Sequence, residues 1–98
     1  QGNFIRSIGQ RGRRVGELSR PKGIAVDDKG LLYVVESFYD HLLVFDPRGR
    51  FLLPIGGEGA GVGQFYLPAG VWLDTAAKVY IADMFNGRIV VLKFLEGA

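Results

Sequence analysis

The 98-residue chain contains no cysteine, one histidine, one methionine and four prolines. Without cysteine, disulfides, thiolate metal sites and thiol nucleophiles are excluded, and cysteine usage carries no information about compartment, which is left open. One histidine cannot build a multi-histidine metal centre within a single chain. No apolar run approaches the roughly 20 residues a membrane-spanning helix needs, and no basic-then-apolar signal peptide leads the sequence. Acidic residues are scarce in the first two dozen positions. There Glu17 alone faces Arg6, Arg11, Arg13, Arg14, Arg20 and Lys22, although the net charge of the chain is only +2. Such a cluster either attracts phosphate or an acidic partner or is a solvated loop.

What is abundant is glycine, with 15 residues, in a chain that is 48% hydrophobic. Many turns between short apolar elements suit an all-β protein with a core to bury. The sequence also repeats itself. A shift of 47 residues, the spacing from Pro21 to Pro68, aligns the chain on itself without a gap, matching Phe4 with Phe51, Ile8 with Ile55, Gly23 with Gly70, Asp27 with Asp74, Tyr33 with Tyr80 and Phe38 with Phe85. A period of this length points to radially repeated β-units rather than helical pairs.

Each unit divides into strand-like runs. Residues 23–27 form a short apolar strand, and Asp27-Asp28-Lys29-Gly30 is a tight turn in which Gly30 is free to take a positive φ. Residues 32–36 return, residues 37–40 connect, and residues 41–45 form a third strand that ends at Asp46-Pro47. Residues 50–55 form a fourth strand, where Pro54 demands an edge position. The second unit repeats the first three strands. Ala77 occupies the turn position of Gly30, which makes that hairpin less comfortable if positive φ is needed.

The runs Pro21-Lys22-Gly23-Ile24-Ala25-Val26-Asp27 and Gly30-Leu31-Leu32-Tyr33-Val34-Val35-Glu36, an aromatic connector and Val44-Phe45-Asp46 resemble NHL repeats, the blades of six-bladed β-propellers. The second copy carries the usual Asn-x-Arg as Asn86-Gly87-Arg88, where the first has Tyr39-Asp40-His41. The resemblance implies an all-β fold of two four-stranded antiparallel blades: an outer strand over residues 1–9, a complete blade over 21–56 and an incomplete blade over 68–95. Two blades alone leave apolar flanks open on either side. At about 25 cal/mol per Å², several hundred Å² on each flank forfeits on the order of 10 kcal/mol, comparable with the stability of a whole domain. An isolated monomer is therefore not expected to be stable. The expectation is either self-association, as a homotrimer closing a six-bladed ring, or two blades of a longer chain that continues upstream of Gln1.

The resemblance also places the second-to-third-strand connectors and the inter-blade connectors on one face. That face would carry Arg11, Arg13, Arg14, Arg20 and Lys22 beside Phe38, Tyr39 and His41, with Phe85, Asn86 and Arg88 from the second blade. It is the candidate partner-binding face. Phe38 and Phe85, paired by the shift, are expected to plug the space between blades. Asp27, Trp72 and Asp74 are candidates for lining the central channel. The two aspartates either bond their own turns or attract a hard cation such as Ca²⁺. Residues 56–63 are glycine-rich, but a strand follows them where a phosphate-cradling loop would lead into a helix, so they are read as a connector. The overall expectation is a binding or scaffolding module for a protein partner, with no catalytic residues, cofactor or metal. The alternatives are a lyase- or lactonase-like propeller enzyme, since a related amidating lyase uses propeller-borne zinc, and an RNA- or anion-binding face.

Overall fold

The computed structural model describes residues 2–74 and 78–93, so Ala77 and residues 94–98 lie outside the described residues. Seven strands form two antiparallel sheets: β1 (Pro21–Val26), β2 (Leu32–Glu36), β3 (His41–Phe45) and β4 (Phe51–Gly56) in the first, and β5 (Pro68–Leu73), β6 (Lys78–Asp83) and β7 (Arg88–Lys93) in the second. Each sheet is a simple meander in which sequence neighbours pair. The two copies even share an irregularity. The ladder skips one residue between Pro21 and Gly23 and again between Pro68 and Gly70.

Local chemistry explains the turns. Asp27 Oδ1 accepts the amides of Lys29 and Leu31 at 2.9 Å each, and its Oδ2 accepts the Tyr33 hydroxyl at 2.9 Å. Gly30 then takes φ 88°, the left-handed conformation its lack of a Cβ allows. Asp46 repeats the device between β3 and β4, accepting the amides of Arg48 and Arg50 and the Arg50 Nε. Pro54 sits on β4, the edge of the first sheet, where no ladder amide is missed.

The sheets stack as layers, with β1 and β2 against β5. At the crossing of the inner strands, a Cβ on Gly23 would lie 3.3 Å from the Gly70 Cα, so this repeated glycine pair sets the approach of the two backbones. Between the sheets, Tyr33, Val35, Leu42 and Val44 of the first meet Val79 and Ile81 of the second, with Phe65 from the connector fully buried among them. The opposite face of the first sheet buries Leu32, Val34, Leu43 and Phe45 under Ile8, Leu18 and Phe51. With both faces covered, β2 and β3 are buried along their whole length, whereas β6 alternates between buried and half-buried residues because only one of its faces is covered.

The repeat makes these two clusters equivalent. The shift carries Leu18 onto Phe65, Leu32 onto Val79 and Val34 onto Ile81, so Leu18 does on the first blade's flank what Phe65 does between the blades. The outer strand expected over residues 1–9 is not formed over the described residues 2–9. Residues 2–8 make no ladder, because a strand needs a partner edge and the third strand of a preceding blade is not among the described residues.

Candidate partner-binding face

In a four-stranded meander the β2–β3 connector and the connector leaving β4 emerge at the same end. The hydrogen bonds tie these segments together here. The Ser37 amide donates to the Arg20 carbonyl at 3.0 Å, the Phe85 amide to the Tyr66 carbonyl at 3.0 Å, and the Leu67 amide to Asp40 Oδ1 at 2.8 Å. The last bond reaches from the first blade to the entry of the second. It holds Leu67 at φ 52°, an uncommon conformation for a residue with a branched side chain.

Each blade builds this end around one buried carboxylate, Glu36 in the first and Asp83 in the second, both at the ends of the second strands. Glu36 accepts the amides of Arg20 (2.8 Å), Phe38 (3.1 Å) and Tyr39 (3.1 Å). Burial pushes its carboxyl up, but those three N–H groups and the nearby His41 outweigh burial and hold it below the usual carboxylate range. Asp83 accepts the Tyr66 amide at 2.7 Å, Asn86 Nδ2 at 2.8 Å and Arg88 Nε at 2.9 Å. There too burial is outweighed and the carboxyl is lowered.

The two ends diverge beyond that point. Arg88 extends past Asp83 to donate to the carbonyls of Ala60, Gly61 and Gln64, and Asn86 Nδ2 donates to the carbonyl of Gly59. Asn86 and Arg88, expected on the binding face, are thus turned inward as a clamp on the glycine-rich connector. The clamp adds to the backbone bonds that join Gly59 and Gly57 to Phe65 and Gln64 to Gly61. In the first blade the corresponding residues are Tyr39 and His41, and no clamp exists. Tyr39 is exposed, and His41 is buried with its Nε2 3.2 Å from Glu36 Oε1, close enough for an ion pair but unaligned for a hydrogen bond. Burial pushes the His41 imidazole down, and the Glu36 and Asp40 carboxylates only partly offset it, so the ring is neutral near pH 7. His41 therefore faces the protein interior.

The basic connector of the first blade is folded over its aromatics. The Arg13 guanidinium lies 5.0 Å from the Phe38 ring centroid and that of Arg20 lies 5.9 Å away, both in cation–π range. Phe38 packs edge-on against Tyr39 at 4.7 Å. Arg11, Arg13, Arg14, Arg20 and Lys22 are all exposed. Of the two residues expected to plug the space between blades, Phe38 is half-buried under the arginines, and Phe85 is 64% exposed and stacks on Tyr66 at 4.4 Å, on a sheet with no further blade beside it among the described residues. The inter-blade plug is Phe65, a residue the sequence reading passed over, although its shift partner Leu18 and its place just before Pro68 marked it as a repeated apolar position.

The channel candidates divide as well. Asp27 and Asp74 bond their own turns and the hydroxyls of Tyr33 and Tyr80. Trp72 is 64% exposed against Tyr80, and with Gly70, Ala82 and Ile89 it lines an open cavity of about 510 Å³ on the uncovered face of the second sheet. Among the described residues no group of three or more His, Asp or Glu side chains is placed to hold a metal ion, and no helix is long and apolar enough to cross a membrane. No curated protein matches the chain. A family described as 6-bladed beta-propeller matches residues 28–95, which take in β2 through β7 and the connectors between them, and the chain belongs to that family.

Proposed function

We propose that this chain is part of an NHL-type propeller that acts as a protein-binding module, recognising an acidic partner through the connector end of the first blade. The observation that carries the reading is the exposed set of Arg11, Arg13 and Arg14 on a connector whose Arg13 lies over Phe38, itself packed on exposed Tyr39, together with exposed Met84 and Phe85 on the corresponding connector of the second blade. Arginine, tyrosine, phenylalanine and methionine are the residue types that interfaces favour. The NHL assignment is supported by the repeat, and by the Asn86-Gly87-Arg88 segment, whose side chains organise the connector.

A binding role is the reading favoured by what the polar groups of this end already do. The buried carboxylates Glu36 and Asp83 are saturated by backbone and side-chain donors. The lone histidine is buried against one of them. All three are buried at the connector end.

The test is selection from a displayed peptide library with the chain and with an Arg11→Ala/Arg13→Ala/Phe85→Ser variant. Enriched peptides should combine acidic and large apolar residues and should be lost on the variant. Failure to enrich any sequence, or equal enrichment by the variant, would sink the reading. Filter binding to single-stranded RNA that is tight at low salt and falls steeply as salt rises would replace the protein partner with a nucleic acid, because contacts through the arginines release counterions.

A further inference from the structure

The connector entering each blade follows the same path. In the first, the Gly12 amide donates to the Leu18 carbonyl, Leu18 to Gln10 and Glu17 to Arg14; in the second, Gly59 donates to Phe65, Phe65 to Gly57 and Gln64 to Gly61, the same bonds displaced by the repeat shift. Two positions on this path differ in charge. Ala60 and Leu67 of the second connector are Arg13 and Arg20 in the first. Both guanidinium groups converge on one ring, at 5.0 Å and 5.9 Å from the Phe38 centroid, and neither makes a hydrogen bond or ion pair with any described residue. The second blade builds its connector without either cation, so the fold does not require them.

The convergence is held from beneath. Glu36 Oε2 accepts the amides of both Arg20 (2.8 Å) and Phe38 (3.1 Å), so one buried oxygen fixes the backbone of an arginine and of the ring it lies over. The Ser37 amide closes the same unit by donating to the Arg20 carbonyl at 3.0 Å. In the second blade the corresponding amides part company: Leu67 donates to Asp40 Oδ1, and Phe85 to the Tyr66 carbonyl.

A cation–π contact consumes no N–H donor, so the donors of Arg13 and Arg20 stay available to an anion, and the guanidinium fork matches a carboxylate in two bonds. The ring on which a nucleic acid base would stack already carries two guanidinium groups. Further cations extend the seat in both directions. Arg11 and Arg14 flank Arg13, and Lys22 follows Arg20 into β1, all of them exposed. The single carboxylate of this segment, Glu17, has its Oε1 engaged by the Arg14 amide at 3.0 Å.

Building on the reading of this end as the site for an acidic protein, we propose that Arg13 and Arg20, gathered on Phe38, seat adjacent carboxylate side chains of a peptide carrying a run of Asp and Glu. A run of carboxylates fits better than one phosphate group, because the exposed cations are spread along residues 11–22 and not gathered around a point.

The test is fluorescence anisotropy of a labelled oligoglutamate peptide at physiological salt, with the chain and three variants. Arg13→Ala/Arg20→Ala should weaken binding on the order of thirtyfold, about fivefold for each exposed charged contact. Arg11→Ala/Arg14→Ala removes the same net charge away from the ring and should cost only about threefold. Arg13→Lys/Arg20→Lys keeps the charge without the planar fork and should cost about tenfold. Urea midpoints should stay put in all three, since none of these side chains bonds to the fold. Equal losses in the two alanine variants, or a lysine variant that binds as tightly as the unmodified chain, would overturn the seat and leave the acidic-partner reading standing on net charge alone. Tighter capture of a phosphoserine peptide or of single-stranded RNA than of oligoglutamate would overturn it in favour of those ligands. No binding of oligoglutamate would also overturn it, and the peptide selection described above decides separately whether this end binds a protein at all.

Discussion

Replacing Phe65 by alanine tests the layered architecture most directly. Phe65 belongs to no strand, yet it has no exposed surface and fills the space between Val35, Leu42 and Val44 on one side and Val79 and Ile81 on the other. Truncating a buried Phe to Ala costs about 3–5 kcal/mol, the sum of lost transfer free energy and the cavity left behind. The upper half of that range applies here, because the walls are two hydrogen-bonded sheets held apart by the Gly23–Gly70 crossing and cannot collapse into the gap. Since whole domains are stable by about 5–15 kcal/mol, the variant should be close to unfolding. Leu18→Ala, the repeat counterpart on a half-covered flank, should cost nearer 2 kcal/mol. Phe85→Ala should cost at most about 1 kcal/mol, the worth of its stack on Tyr66 at an exposed site. Urea unfolding followed by circular dichroism, at one protein concentration so that association does not shift the midpoints, ranks the three. A Phe85→Ala cost equal to that of Phe65→Ala, or a Phe65→Ala cost below about 1 kcal/mol, would refute the assignment of Phe65 as the inter-blade plug.

Arg88→Ala should cost about 2–3 kcal/mol, because the fully buried Asp83 loses a charged donor. Amide exchange across residues 59–64 should quicken as the carbonyls of Ala60, Gly61 and Gln64 lose their clamp, and Arg88→Lys should recover only part of the loss, since an ammonium cannot span four acceptors. Unchanged exchange in Arg88→Ala would remove the clamp. Stability should also fall on acidification in two stages. The His41 imidazole is held below its ordinary value, so the unfolded chain takes up a proton first as pH drops through about 6.5. Glu36 and Asp83, also held low, contribute stability above the ordinary carboxylate value that is lost below it. His41→Gln should flatten the first stage and leave the second, and an unaltered urea-midpoint profile between pH 7.5 and 5.5 would show that His41 is not the group responsible. The Tyr33 phenol, desolvated and bonded to Asp27, is pushed up to about 12, so its ultraviolet titration should lie well above the ordinary 10, and Asp27→Asn should bring it down. Titration of Tyr33 at its ordinary value would place its hydroxyl away from Asp27.

Where the repeat spoke, the sequence was legible. The gapless 47-residue shift, the Asp-x-x-Gly turn at Asp27 and the edge position demanded by Pro54 are local or periodic signals, and the sheets formed around them. What could not be read were properties set by neighbours. Residues 4–9 carry the pattern of β4 but have no adjacent edge to pair with, so the pattern alone does not make a strand. Phe85 shares its repeat position with Phe38, yet which member of an aromatic pair is covered depends on what the connector brings over it. In the first blade Arg13 and Arg20 fold over Phe38, and in the second the connector carries no basic residue and Phe85 is open. Asn86, Arg88 and His41 are polar residues near a loop, a description that fits a binding residue and a structural clamp equally well. Only the distances to Asp83, Glu36 and the carbonyls of residues 59–64 separate the two.

The same divergence bears on which blade does the binding. In the second blade the side chains of Asn86 and Arg88 are spent on the connector's carbonyls, and the connector itself presents Glu58, Val62 and Gln64 outward but no basic residue. In the first blade Tyr39 and His41 stand at those two positions and no clamp forms; its connector keeps only the backbone bonds that both connectors share and the amide bond to Glu17 Oε1, which accepts from Arg14 at 3.0 Å as Gln64 Oε1 accepts from Gly61 at 2.9 Å. That arrangement uses the backbone of Arg14 and leaves Arg11 and Arg14 exposed, and exposed Tyr39 occupies the position of the clamping asparagine. If blades of this kind serve only to fill a ring, there is no physical gain in replacing a buried clamp by exposed charge and aromatic surface. Restoring it by Tyr39→Asn/His41→Arg should therefore tighten the first connector, slowing amide exchange over residues 12–17, while weakening peptide capture. A variant that gains protection and keeps full capture would place the binding surface elsewhere.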